Sequence, residues 1–121
     1  MALSPVIAIV DDDREMREAL CDLLLVERIA CLDFETADAF LAAYAPGVFA
    51  CVVTDLRMPG MSGLDLLAHL NRSDPQLPVI VVTSAADVQT RLEAMRRGAR
   101  ALLVKPLHNA DLLAHLARFL D

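Results

Sequence analysis

The chain has 121 residues, a formal net charge of −6 and 56% apolar residues. This length suits one domain that can bury a core without disulfides, and no apolar run approaches the roughly 18 residues of a membrane-spanning helix. The acidic balance argues against direct binding to nucleic acid, because such binding depends on Lys and Arg that neutralise phosphates.

Five apolar runs alternate along the chain with five amphipathic segments. The runs are rich in β-branched residues and have the length of buried strands, while the segments between them repeat apolar residues at helical spacing. The predicted strands cover residues 6–10, 29–34, 49–53, 78–82 and 101–104. The predicted helices cover residues 14–28, 36–44, 64–72, 87–97 and the segment from 109 to about 120.

The ends of four helices carry recognisable signals. Thr36 is predicted to cap the second helix and Asn109 the last one, since their side chains can accept a hydrogen bond from a backbone N–H in the first turn. Gly98 is predicted to end the fourth helix. Asp13, where the chain turns into the first helix, is also interpreted as a cap.

The fourth helix has an apolar side and a basic side. Val88, Leu92 and Met95 recur at helical spacing and are predicted to face the sheet. The other side is predicted to be a basic surface, made of Arg91, Arg96, Arg97 and Arg100.

Alternating strands and helices with continuous apolar strands predict an α/β fold. The expected architecture is a doubly wound, flavodoxin-like, five-stranded parallel sheet with strand order 2-1-3-4-5 and five helices on its two faces. In this order the winding reverses between strands 1 and 3, and ligands bind there, outside the carboxyl ends of the strands. We interpret residues 1–121 as one domain of this kind.

Polar side chains follow four of the strands at this edge. Asp11 and Asp12 come after the first strand, Asp55 after the third, Thr83 after the fourth and Lys105 after the fifth. An isolated aspartate most often caps a helix or starts a turn, but scattered charges are not expected to share one edge. We therefore interpret these residues as a site.

Carboxylates that converge on one crevice repel each other unless a cation lies among them. Mg²⁺ suits this set, because it takes one or two carboxylates together with phosphate oxygens and water, and no His or Cys is placed for a softer metal. The metal role falls mainly to Asp12, with Asp11 acting by hydrogen bonding or through water, and to Asp55 and a backbone carbonyl beyond it.

An ionised aspartate beside a metal can attack phosphorus without a general base and form an acyl phosphate. Lys105, the only lysine of the chain, and the Thr83 hydroxyl would neutralise the charge on the transferring group. The Lys105-Pro106 dipeptide at a strand end favours a cis peptide bond at Pro106.

These residues carry a resemblance to a known family. The segments Ile-Val-Asp-Asp-Asp at 9–13, Thr-Asp-Leu-Arg-Met-Pro-Gly-Met-Ser-Gly at 54–63, Thr-Ser at 83–84 and Lys-Pro at 105–106 resemble the receiver domain of bacterial two-component response regulators. The sequence around Asp55 is most similar to that of receivers of the NarL/FixJ type. The resemblance covers essentially the whole chain.

The resemblance implies a role for each residue of the edge. Asp55 would accept a phosphoryl group from a phosphohistidine of a sensor histidine kinase, with Mg²⁺ as cofactor. Asp11 and Asp12 would be the acidic metal site and the Arg57 backbone carbonyl a further ligand. Thr83 would be the switch hydroxyl and Lys105 the phosphate-binding lysine.

The resemblance also implies a signalling switch and not an enzyme with its own substrate. Phosphorylation would shift the face formed by the fourth helix, fifth strand and fifth helix, and so control an output domain or partner, in transcription regulation. Receivers of this type usually precede a helix-turn-helix output domain, which we expect to lie outside this chain. A phosphorylation-dependent homodimer through the same face is a further expectation.

One position departs from the family pattern. Receivers usually carry Tyr or Phe three residues before the lysine, as a ring that turns inward when the switch hydroxyl moves, but this chain has Leu102. We expect phosphorylation to be intact and its coupling to the fourth-helix face to be weaker or built differently.

Three other functions compete with this interpretation. A flavodoxin-like cofactor domain would need a phosphate loop rich in Ser, Thr and Gly where the three aspartates stand, and it would show a flavin absorption band. A phosphatase with an aspartyl nucleophile normally has a second acid where this chain has Arg57, and it would release phosphate over many turnovers. A pseudo-receiver that only binds proteins ranks lower because the acidic crevice is intact.

The location of the protein is inferred from its N-terminus and its cysteines. Residues 1–5 contain no basic segment, which argues against a secretory signal. Cys21, Cys31 and Cys51 are widely spaced within apolar runs, and we interpret them as small buried apolar side chains. Both features favour a cytoplasmic protein without membrane attachment.

Overall fold

The computed structural model describes residues 6–84 and 87–120. These residues form an alternating α/β chain whose order agrees with the prediction. The strands are β1 (Val6–Val10), β2 (Ala30–Phe34), β3 (Phe49–Thr54), β4 (Val79–Thr83) and β5 (Ala101–Val104). The helices are α1 (Arg14–Val26), α2 (Ala37–Ala43), α3 (Gly63–Ser73), α4 (Val88–Arg96) and α5 (Asn109–Ala117).

The five strands form one parallel sheet in the order β2-β1-β3-β4-β5, as predicted. Alternate residues of each strand point to opposite faces of the sheet, and both faces are covered by helices. On β1, for example, Ala8 and Val10 join the core under α2, α3 and α4, whereas Ile7 and Ile9 join the core under α1 and α5. The winding therefore reverses between β1 and β3, where a crevice is expected.

Most helix boundaries agree with the predicted caps. The Thr36 hydroxyl accepts a hydrogen bond from the Ala39 backbone N–H, and Gly98 has a φ of +108° just after α4. The predicted cap at Asn109 is wrong, because His108 occupies the N-cap position without a side-chain bond and Asn109 is the first residue of α5.

The predicted orientation of α4 is also wrong. Val88, Leu92 and Met95 are 69%, 54% and 50% exposed, while Ala94 is the buried residue of this helix. The small Ala94 is the residue of α4 that joins the core under α2, α3 and α4, so the apolar stripe faces outward. The Arg97 guanidinium, expected on the outer side, donates to Glu93 at 2.7 Å and to Asp65 of α3 at 3.4 Å.

The cysteines are not all buried. Cys51 is fully buried, but Cys21 on α1 and Cys31 on β2 are half-buried and their sulfur atoms lie 3.3 Å apart. Burial is the largest of the causes that raise the pKa of the Cys21 thiol to about 12, followed by its bond to Cys31. A thiol with such a pKa keeps its proton at neutral pH and reacts slowly.

Two further points concern the predicted location. Among the helices described, none combines the length and apolar character needed to span a bilayer. Residues 1–5, on which the absence of a secretory signal is inferred, lie outside the described residues.

Candidate functional site at the carboxyl edge of the sheet

The register of β1 and β3 brings two aspartates side by side. Val10 pairs with Thr54 as the last residues of the two strands, and the Asp55 backbone N–H donates to the Val10 carbonyl at 3.0 Å. Asp11 and Asp55 each follow directly. Because the strands are parallel and in register, both side chains emerge at one edge of the sheet.

Three carboxylates converge at this edge. Oxygens of Asp11, Asp12 and Asp55 all lie within 4.8 Å of one another. Asp11 is almost fully buried, Asp55 is partly buried and Asp12 is exposed, so the cluster opens to solvent on one side. An all-oxygen donor set of this kind fits the ligand preference of Mg²⁺, and the predicted metal residues Asp11, Asp12 and Asp55 are thus brought together.

Lys105 reaches this cluster from the end of β5, two strands away from β3. Its ammonium lies 3.1 Å from Asp55 Oδ2 and 3.4 Å from Asp11 Oδ2. The long side chain spans the position of β4, which separates β5 from β3 in the sheet. The peptide bond between Lys105 and Pro106 is cis, the isomer expected from the sequence.

The pKa values of Asp11 and Lys105 reflect both their burial and the charges beside them. Burial raises the pKa of Asp11, and a backbone hydrogen bond from Asp13 and the nearby Lys105 ammonium offset this only in part. For Lys105, burial by itself lowers the pKa, but the hydrogen bond to Asp55 and the charges of Asp11 and Asp55 together raise it above its ordinary value. The lysine is therefore a charged partner of the carboxylates at neutral pH.

Backbone groups orient the Asp55 carboxylate. Its Oδ1 accepts from the Leu56 backbone N–H at 2.7 Å and lies 3.4 Å from the Arg57 N–H. The backbone of Arg57 therefore lies beside the carboxylate, and its carbonyl as a metal ligand stays a prediction. Gly63 makes this loop compact, since a Cβ there would lie 1.9 Å from the Asp55 carbonyl oxygen.

Two further predicted residues lie on the neighbouring strands β4 and β5. Thr83 is the last residue of β4, is 1% exposed, and accepts a hydrogen bond from the Lys105 backbone N–H through its carbonyl. Leu102 is half-buried on β5, pairs with Val81 of β4 and packs against the core under α2, α3 and α4. Their roles in switching stay predictions.

Sequence reasoning missed Arg17. A charged residue on an amphipathic helix is expected to face solvent, but the Arg17 side chain is only 13% exposed and donates to the Asp11 carbonyl at 2.7 Å. Helical spacing contains no signal for this contact, because it depends on the side chain folding back toward the start of α1. Asp13 was assigned correctly: its carboxylate accepts from the Glu15 and Met16 backbone N–H groups and caps α1.

Comparisons with known proteins agree with this arrangement. The family model described as "Response regulator receiver domain" matches residues 7–117. The transcriptional regulatory protein FixJ of Azorhizobium caulinodans is 43% identical over 106 residues, which are 88% of this chain and 50% of the relative. The C4-dicarboxylate transport transcriptional regulatory protein DctD of Rhizobium meliloti is 35% identical over 98% of this chain and 25% of its own length.

Solved structures support the same assignment. A response regulator receiver protein from Pseudomonas putida superposes with a TM-score of 0.89 at 31% identity, and the match covers 98% of this chain and 99% of that one. The chain spans about half the length of the FixJ relative and about a quarter of the DctD relative. On the family match, the relatives and the fold, this chain belongs to the response regulator receiver domain family.

Proposed function

We propose that this chain is a phosphoryl-accepting signalling switch whose phosphorylated residue is Asp55. Receiver domains of two-component systems act as switches and typically bind Mg²⁺ at an acidic site. The observation that carries the proposal is the convergence of Asp11, Asp12 and Asp55 with the Lys105 ammonium, 3.1 Å from Asp55.

The reaction needs little covalent chemistry from the protein. An Asp55 carboxylate oxygen attacks the phosphorus of a phosphohistidine on a sensor histidine kinase, an O–P bond forms, and the electrons of the broken P–N bond return to the imidazole. Mg²⁺, held by Asp11, Asp12, Asp55 and the Arg57 carbonyl, would neutralise charge on the phosphoryl oxygens. Lys105 and the Thr83 hydroxyl stabilise the same oxygens from the other side.

The backbone contacts of Asp55 prepare it for this role. Oδ1 is held by the Leu56 N–H, so the orientation of the carboxylate is set before a donor arrives. The Lys105 side chain is 22% exposed, so its ammonium can move toward negative charge that forms near Asp55. The protein thus contributes positioning and charge, and its own phosphorylation and dephosphorylation are the only reactions assigned to it.

The output is assigned to the face made of α4, β5 and α5. A phosphoryl group adds about −1.5 to −2 charges at Asp55. Movement of Thr83 and Lys105 toward it would bias β5 and the helices beside it, and allosteric couplings of this kind are typically about 1–3 kcal/mol. The exposed stripe Val88, Leu92 and Met95 offers apolar area for a homodimer or for an output domain outside this chain.

The relatives favour transcription regulation as the output. FixJ and DctD are named as transcriptional regulatory proteins, and each is longer than the match to this chain. We propose that the present domain controls an output domain of such a regulator, of the helix-turn-helix kind expected for the NarL/FixJ type. Direct nucleic-acid contact by this domain and membrane attachment are not part of the proposal.

Intact mass measurement tests the chemistry. We would incubate the parent chain and Asp55→Asn with acetyl phosphate, in Mg²⁺ and in chelator. The expected result is a single base-labile phosphoryl adduct that requires both Mg²⁺ and Asp55. The absence of an adduct under every condition would favour the pseudo-receiver function instead.

Leu102 gives a test of the coupling. Because leucine buries less area than an aromatic ring when it turns inward, Leu102→Tyr should change the phosphorylation-dependent affinity for a partner or second copy while adduct formation continues. Light scattering of the phosphorylated chain measures the homodimer. An unchanged affinity would contradict the assigned role of this position.

A further inference from the structure

Asp11 is held from two directions by groups outside its own strand. Its backbone N–H donates to the carbonyl of Phe34, the last residue of β2, at 3.1 Å. Its backbone carbonyl accepts from the Arg17 guanidinium at 2.7 Å. The Arg17 Nε also donates to the Asp33 carboxylate, next to Phe34, at 3.1 Å. Arg17 and the end of β2 therefore clamp Asp11 between them.

The clamped carbonyl belongs to the peptide unit that joins Asp11 to Asp12. A peptide unit is planar, so fixing its carbonyl direction also fixes the direction of the Asp12 N–H and restricts where both side chains can point. Asp11 and Asp12 are the two carboxylates that β1 contributes to the acidic cluster. The guanidinium thus acts on the link between two of the three cluster residues.

Burial and geometry distinguish Arg17 from an ordinary surface arginine. Its side chain is 13% exposed, whereas that of Arg14, one turn earlier on α1, is 81% exposed and forms an ion pair with Glu18. The planar guanidinium can donate to a carbonyl and a carboxylate at once in fixed directions, which a lysine ammonium cannot reproduce. Long side chains on a helix fold back toward its start, which brings Arg17 to the β1–α1 turn.

We propose that Arg17, fixed by Asp33, is a positioning residue that sets the Asp11–Asp12 peptide and thereby the affinity of the acidic cluster for Mg²⁺. The inference rests on the proposed function, because it concerns the metal site used there. Arg17 itself touches neither metal nor phosphoryl group. Removing a group that hydrogen-bonds to a metal ligand and orients it commonly weakens metal affinity by about 10- to 100-fold.

Titration calorimetry with Mg²⁺ on the unphosphorylated chain tests this role without measuring phosphorylation. We expect Arg17→Ala and Arg17→Lys each to weaken Mg²⁺ binding by about tenfold or more. The matched control is Arg14→Ala, which removes the same charge from the same helix without touching Asp11. At about 0.15 M salt its effect should stay within about twofold, since exposed charges are screened.

A metal-free measurement checks the geometry directly. The hydrogen bond from the Asp13 N–H to Asp11 Oδ1, 2.9 Å long, depends on the orientation of Asp11. In Arg17→Ala, but not in Arg14→Ala, the Asp13 amide should exchange faster with solvent and shift in the NMR spectrum. Asp33→Asn keeps the bond to the Asp11 carbonyl and should weaken Mg²⁺ binding by only about two- to fivefold.

The outcomes separate the two proposals. If Arg17→Lys bound Mg²⁺ with wild-type affinity, a positive charge at this position would suffice and the positioning role would be overturned. The positioning role would also be overturned if Arg17→Ala changed Mg²⁺ affinity no more than Arg14→Ala does. A parent chain that binds no Mg²⁺ would overturn the proposed metal site and this inference together. If circular dichroism finds Arg17→Ala unfolded, Arg17→Lys and Asp33→Asn decide the question.

Discussion

The acidic edge and the α4 surface are built in opposite ways. At the edge, buried strands end in residues fixed by backbone hydrogen bonds, and Asp11 is 3% exposed. On α4, Ala94 is the buried residue while Leu92 and Met95 lie about half in solvent. A site for phosphoryl transfer needs groups held in place in advance, whereas a surface that reports a state needs a weakly packed element and apolar area.

The largest effect is expected from Gly63→Ala. The added Cβ would lie 1.9 Å from the Asp55 carbonyl oxygen and 2.7 Å from the Leu56 Cα, both backbone atoms that cannot move alone. We expect the free energy of unfolding, measured with urea, to fall by about 3 kcal/mol or more. Gly47→Ala is the control: it has open space but a φ of +82°, and should cost about 1–2 kcal/mol. Equal losses would contradict close packing at this edge.

A leucine-to-alanine substitution should cost little stability on the α4 surface and much more in the core. Leu92→Ala removes apolar area that is already half exposed, so the free energy of unfolding should change by about 0.5 kcal/mol or less. Leu66→Ala, on the fully buried face of α3, should cost about 2–5 kcal/mol. Leu92→Ala should nevertheless weaken self-association of the phosphorylated chain, measured by light scattering. A large loss of stability at Leu92 would remove the contrast between the two regions.

A buried carboxylate at the edge should lower stability at neutral pH. Burial raises the pKa of Asp11 above 3.8, so its contribution to stability is complete below that value and is lost as the pH rises through the raised pKa. Asp11→Asn should therefore increase the free energy of unfolding at pH 7 and abolish the gain from added Mg²⁺. Asp12→Asn, at an exposed position, should change stability by about 0.5 kcal/mol or less without Mg²⁺.

The smallest effect is expected at the opposite edge of the sheet. The Tyr44 hydroxyl donates to Asp74 at 2.6 Å, and this bond raises the pKa of the phenol above its ordinary value of 10. Its stabilisation is complete below pH 10 and is lost as the pH rises through the raised pKa. Tyr44 is the only tyrosine and there is no tryptophan, so absorbance near 295 nm follows it alone.

The control for this bond is Asp74→Asn. It should return the phenol pKa toward 10 while leaving adduct formation at Asp55 unchanged, because the two groups lie at opposite ends of the strands. A change in phosphorylation would mean that the acidic edge is not independent of the rest of the sheet.

The site was predictable to the extent that it depends on strand ends. Asp11, Asp55 and Lys105 each follow an apolar strand, and the parallel order of those strands places them at one edge. The contacts of Arg17 were not predictable, because they depend on the path of one long side chain and on the position of β2. The direction of α4 was predicted wrongly, since an apolar stripe was taken to be a buried one.

The α/β alternation, the strand order and the residues at the carboxyl edge follow from local sequence patterns. Apolar runs and helical spacing are local patterns, and the handedness of the crossovers leaves few ways to arrange them. In contrast, the side of α4 that faces inward and the contacts that hold Asp11 are set by the packing of the folded chain. Both depend on contacts between distant elements, Ala94 with the core and Arg17 with the end of β2, which form only when the helices pack on the sheet.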